Sequence, residues 1–164
     1  MKNKEFKKVL FKAAFSVMAC DGEVAESELL EIKEMLKNTL YFEGLNYEEE
    51  LQVALEDLKG NGLQSIESFF NVLKGADLSE LQELQLLEVL IRMIHADDKV
   101  DENELIFMHR VRRSLSVLSD AKIMVRFPKN INLLLNLSKY NAKPFHSNLG
   151  TMNLKAFDDI NFTD

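Results

Sequence analysis

At 164 residues, 46% of them hydrophobic and 29% charged, the chain has the make-up of one globular domain long enough to bury a core. Its single cysteine excludes an intramolecular disulfide and points to a reducing, cytoplasmic setting, and no stretch approaches the ~20 apolar residues of a membrane helix. The net charge of −7 is unevenly spread: residues 1–104 hold 11 Lys/Arg against 23 Asp/Glu, and residues 105–164 hold 9 against 4.

The chain opens with Lys2, Lys4, Lys7 and Lys8 ahead of an apolar run ending at Ala19-Cys20, a pattern that superficially suits a lipoprotein signal. Lys12 interrupts that run, and the spacing of Phe11, Ala14, Phe15 and Met18 predicts an amphipathic helix from about Lys4 to Ala19 instead. A second helix begins near Ala25, carries Leu29, Ile32, Met35 and Leu36 at core spacing, and ends before Gly44. Asn46 caps a third helix through Leu51, Leu55 and Leu58 to about Lys59, with Gly60-Asn61-Gly62 as its stop.

A fourth helix, from about Ser65 to Lys74, places Ile66, Phe69, Phe70 and Leu73 on one side. Ser79-Glu80-Leu81-Gln82 is a capping box that opens the fifth, whose Leu84, Leu87, Ile91 and Ile94 form the longest apolar stripe. The sixth starts at Asp101 with Glu104 completing another capping box, and runs through Leu105, Met108 and Val111 to about Leu115. A seventh spans about Ser119 to Phe127, where Pro128 ends regular helix. Eleven Phe and no Trp predict a core of Phe and Leu.

Composition changes at Pro128: the last 37 residues hold seven Asn and no Glu, with apolar runs at Leu133-Leu134-Leu135 and from Met152 to Phe162. We expect a helical domain over residues 1–127 and a C-terminal appendage over 128–164, part of which packs on the helices or on a partner. The basic stretch of Arg110, Arg112, Arg113, Lys122 and Arg126 has no aromatic interleaving before Phe127. It reads as a solvated or internally complemented face apart from the acidic hairpins, and not as a nucleic-acid site.

The strongest signal is a repeat. Residues 21–29 and 97–105, 76 positions apart, agree at five of nine places: Asp21/Asp97, Val24/Val100, Glu26/Glu102, Glu28/Glu104 and Leu29/Leu105. The preceding Phe11, Ala14, Phe15 and Met18 fall on Leu87, Leu90, Ile91 and Ile94. Each copy is a helix, a turn of about five residues and a second helix opened by glutamate. The fold class is therefore all-α, about seven helices, with two helical hairpins related by an approximate twofold axis that brings the turns together. The repeated Asp-Gly/Asp-x-Val-x-x-x-Glu turn resembles the tellurite-resistance TerB-like family over roughly residues 5–127.

That resemblance implies metal binding at the acidic positions, which match here at Asp21, Glu28, Asp97 and Glu104. On the residues alone, Glu28 and Glu104 at the third helical position serve as N-terminal caps. Asp21 and Asp97 lie at helix C-termini, where the macrodipole disfavours an acid, so backbone N–H groups or a cation must compensate them. If the hairpins pair, four carboxylates form an oxygen-rich set suited to Ca²⁺, Mg²⁺ or Mn²⁺, with Asp98 and Asp101 nearby. Ala25 stands where the second copy has Asp101, so the first turn lacks a side-chain cap. Neither copy is an EF-hand, because Lys99, Glu102 and Met108 occupy the third, sixth and twelfth positions counted from Asp97.

His95 is expected at a carbonyl or in solvent, Cys20 as a small buried residue, and His109 and His146 have no companion legible in the sequence. No motif supports a nucleophile and base. Three readings follow: a non-enzymatic TerB-like adaptor or cation-responsive module in tellurite or stress resistance with a protein partner; a metal-dependent enzyme using paired carboxylates; and a protein-interaction domain whose acidic turns are structural.

Overall fold

A computed structural model describes residues 1–145, 153–158 and 160. His146, and Met152 and Phe162 at the ends of the second apolar run, lie outside the described residues. The described chain is all-helical. In order run α1 (Asn3–Ala19), α2 (Glu26–Asn38), α3 (Tyr47–Asn61), α4 (Leu63–Gly75), α5 (Glu80–His95), α6 (Glu102–Ser114), α7 (Asp120–Arg126) and α8 (Ile131–Leu134), followed by short 3-10 turns at Ser138–Tyr140 and Lys155–Asp158.

The boundaries follow the capping chemistry. Asn46 Oδ1 accepts from Glu49 N–H, Ser79 Oγ from Gln82 N–H, and Ser119 Oγ from Lys122 N–H, each closing the first turn of its helix. The Gly60-Asn61-Gly62 stop falls later than expected. Asn61 Nδ2 donates to Asp57 Oδ1 one turn back at 2.7 Å, which carries α3 through Gly60. The chain then reverses at Gly62 alone, whose φ of 50° lies in the left-handed region, and α4 begins at once at Leu63. The Leu133-Leu134-Leu135 run supplies an eighth helix beyond the seven expected, a single turn that buries Leu133 and Leu134.

Helix α1 is the central element: it packs on α5, α4 and α3, and every residue from Ala13 to Cys20 is buried. Helix α5 in turn receives α2, and α6 packs on α4, α8 and the 138–140 turn. The core is built of Phe and Leu. Phe69 stacks on Phe107 at 5.7 Å, and Phe70 meets both at 5.1 and 5.0 Å, while Phe11, Phe15 and Phe42 form a second cluster. Such aromatic pairs add to simple area burial. Among the described residues, no helix is long and apolar enough to cross a membrane.

Beyond Pro128, Leu134, Leu137 and Tyr140 are buried against the helices, and His109 Nε2 pairs with Asn141 Oδ1 at 2.5 Å. Further on, Asn153 forms a parallel bridge with the first acidic turn. Its N–H donates to Gly22 C=O at 2.9 Å, and its C=O accepts from Val24 N–H at 3.0 Å. Phe157 stacks on Phe15 at 6.0 Å with the rings 16° apart.

Candidate functional site

Two helix ends define the site. The α1–α2 turn presents Asp21 and, one helical turn into α2, Glu28; the α5–α6 turn presents Asp97, Asp98 and Asp101 and, into α6, Glu104. Helices α1 and α5 pack on each other and each ends at its acidic turn, and a bond from one turn to the other places both at one end of the bundle. Asn103 ties them directly: its buried Nδ2 donates to Cys20 C=O at 2.9 Å, satisfying a carbonyl at the α1 terminus that the helix itself leaves open.

Each turn is also braced from within. Glu28 Oε1 accepts from Ala25 N–H at 3.2 Å, and Glu104 Oε1 from Asp101 N–H at 3.1 Å. Asp101 Oδ1 returns the favour to Glu104 N–H at 2.8 Å, so the second turn closes a full capping box. Alanine has no acceptor, so only the glutamate half forms in the first turn. Asp21 Oδ1 accepts from Glu23 N–H at 2.9 Å, an Asx-type turn that offsets its place at the C-terminal end of α1.

The electrostatics join the two turns into one group. Glu28 and Glu104 are each only 5% exposed. Burial pushes the Glu28 carboxyl up to about 9; the Ala25 N–H pulls against this, and the charges of Asp21, Glu104 and Asp97 add to it. Burial likewise pushes Glu104 up to about 8, opposed by the Asp101 N–H and reinforced by Asp101, Asp21 and Asp97. Asp21 rises to about 6, again chiefly through burial, with the Glu23 N–H opposing and the Asp101 carboxyl raising it by both charge and hydrogen bond. The Cys20 thiol lies among them, fully buried. Burial raises its pKa well above the usual value, and Asp101, Glu104, Asp21 and Glu28 raise it further. It is a packed small residue and not a nucleophile.

Of the four acids singled out from the sequence, the structure therefore draws Asp21, Glu28 and Glu104 into mutual influence, with Asp97 acting on both glutamates from an exposed position. Asp101, expected from the sequence as a cap and as charge near the four acids, also meets Asp21 across the turns. The donors are all oxygen, which suits a hard divalent cation. Among the described residues, no three His, Cys, Asp or Glu side chains converge closely enough to form a ready-made set of metal ligands.

His95 stands outside this group: exposed, it pairs through Nε2 with Asn130 Oδ1 at 2.7 Å. The basic stretch is largely spent on internal partners. Arg110 grips Glu67 with two bonds of 2.7 and 2.8 Å and lies 4.0 Å over the Phe70 ring. Arg112 pairs with Asp120 at 2.6 Å, Lys122 with Glu80, and Arg126 with Glu88 at 3.2 Å, leaving Arg113 exposed. One carboxylate had no sequence signal at all. Buried Glu83 accepts the N–H groups of Ser116, Val117 and Leu118 at 2.9 to 3.3 Å and thereby fixes the α6–α7 loop on α5.

The family model of the tellurite resistance protein TerB matches residues 9–126, which takes in α2 to α7, most of α1 and both acidic turns. The chain belongs to the TerB family. No curated protein and no solved structure matches it.

Proposed function

We propose that this TerB-family domain is a non-enzymatic binding module whose paired acidic turns take up a divalent cation, Ca²⁺, Mg²⁺ or Mn²⁺. In this reading the loaded state is passed to a protein partner in a cytoplasmic tellurite or stress response, the setting that the family's name suggests. The observation that carries it is the burial of Glu28 and Glu104 beside Asp21, Asp97 and Asp101, which makes ionising the group unfavourable without a positive partner. A cation supplies that partner, and its uptake releases the protons that the two glutamates hold at neutral pH.

A second reading has its own support. The backbone bonds to Asp21, Glu28, Asp101 and Glu104 give each acid a task in its own turn, as expected of an interaction domain with structural acidic turns. A metal-dependent enzyme needs the acids to border a substrate-sized cleft. The cleft of about 410 Å³ between α1, α3 and α4 is lined by none of them.

Native mass spectrometry separates the first two readings. Protein stripped with EDTA and resupplied with Ca²⁺, Mg²⁺ or Mn²⁺ is expected to retain one cation, and Asp21→Asn with Asp97→Asn to lose it. Parent protein that retains none of the three supports the structural reading instead.

A further inference from the structure

Away from the acidic turns, α1, α3 and α4 enclose a cleft of about 410 Å³, within the ~300–1,000 Å³ typical of small-molecule sites. Phe11, Phe15, Val53, Ala54 and Leu58 give it apolar walls. Five polar side chains from α1 and α4 also line it, Lys8, Lys12, Ser16, Ser65 and Ser68; Lys8 faces Glu50 and Ser65 donates to Asp57, which leaves Lys12, Ser16 and Ser68. Lys12 and Ser16 are four residues apart and so share a helix face.

These groups are undersupplied with acceptors. Half-buried Lys12 donates from Nζ to Ser68 Oγ at 3.2 Å and has no ion-pair partner among the described residues. Ser16 is only 3% exposed, yet its hydroxyl has no hydrogen-bond partner among the described residues. Among the described residues no fully buried side-chain N or O atom lacks a partner, so the Ser16 oxygen keeps contact with solvent on the cleft that it lines. The acids on the lining are engaged elsewhere. Glu50 lies 3.6 Å from Lys8, and Asp57 accepts from Ser65 at 2.5 Å and Asn61 at 2.7 Å.

We propose that this cleft binds a small amphipathic carboxylate, its hydrocarbon part on the Phe11, Phe15 and Leu58 wall and its oxygens on Lys12, Ser16 and Ser68. A single charge fits better than a phosphate dianion, since one uncommitted ammonium faces a lining that also holds Glu50 and Asp57. The site is independent of cation uptake at the acidic turns.

Octanoate is the probe, titrated into the full-length protein and followed by amide NMR shifts. Saturable shifts are expected along α1, α3 and α4, with octanol at least about tenfold weaker because it lacks the charge that Lys12 pairs with. Lys12→Met should weaken octanoate about tenfold and leave octanol unchanged. Val53→Glu, at a side chain 58% exposed on the rim, tests the same point without disturbing the core, and should weaken octanoate by repulsion. The proposal is overturned if octanol binds as well as octanoate, if neither substitution changes octanoate affinity, or if the shifts fail to saturate or fall elsewhere.

Discussion

Glu28 and Glu104 are where the chemistry of this protein concentrates, because each combines a capping role with burial beside other acids. A carboxyl whose pKa is higher in the folded than in the unfolded chain holds its proton more tightly when folded. Its contribution is complete below the ordinary value of 4.5 and is lost as pH rises through the folded value, about 9 for Glu28. Between those limits stability should fall with pH. Glu28→Gln keeps an oxygen for the Ala25 N–H but cannot ionise. We expect urea denaturation in EDTA to find the variant and parent alike near pH 4. By pH 8 the variant should be the more stable by on the order of 2 kcal/mol. A difference that does not change with pH would show that Glu28 titrates normally.

Among the elements, the segment around Asn153 to Phe157 makes the two acidic turns unlike. It pairs with the backbone of Gly22 and Val24 and leaves Val24 3% exposed, whereas Val100, the matching residue of the other turn, is 40% exposed. Phe157→Ala removes the ring that rests on Phe15 and should loosen this bridge at a cost of about 1 kcal/mol. Hydrogen exchange is the readout: the Val24 amide should exchange faster in the variant while amides in the middle of α5 keep their protection. Equal protection of Val24 in both proteins would mean that the bridge does not depend on the ring.

The helices themselves were legible in the sequence. Ser79 with Gln82 and Asp101 with Glu104 announced their capping boxes, and of the apolar stripe Leu84, Leu87, Ile91 and Ile94 the last three are buried and Leu84 half-buried. The bridge at Asn153 was not legible, since it is made by backbone groups more than a hundred residues apart and needs no particular side chain. Glu83 escaped for a related reason: its partners are N–H groups of a loop 33 to 35 residues away. Of the site, the acids could be named from their repeat, but the link between Asp21 and Asp101 requires the packing of α1 on α5.

At the scale of the whole molecule, the packing of α1 and α5 carries two acidic helix ends to one place, and the domain must offset the resulting charge. Close like charges cost roughly 1 kcal/mol per pair in water and several times that near a protein surface. Protons on Glu28 and Glu104 offset it in the cation-free protein, and we propose that a divalent cation does so in the working one. The most direct measurement is the melting temperature of the parent, Asp21→Asn, Asp97→Asn and the double variant, each in EDTA and in millimolar Ca²⁺, Mg²⁺ or Mn²⁺. The account predicts that at least one cation raises the melting temperature of the parent by several degrees, as expected for a ligand bound only by the folded state. The gain should shrink in each single variant and vanish in the double one. A parent that melts at the same temperature with and without cations, alongside variants that lose stability equally in EDTA, would show that the carboxylates serve only their turns.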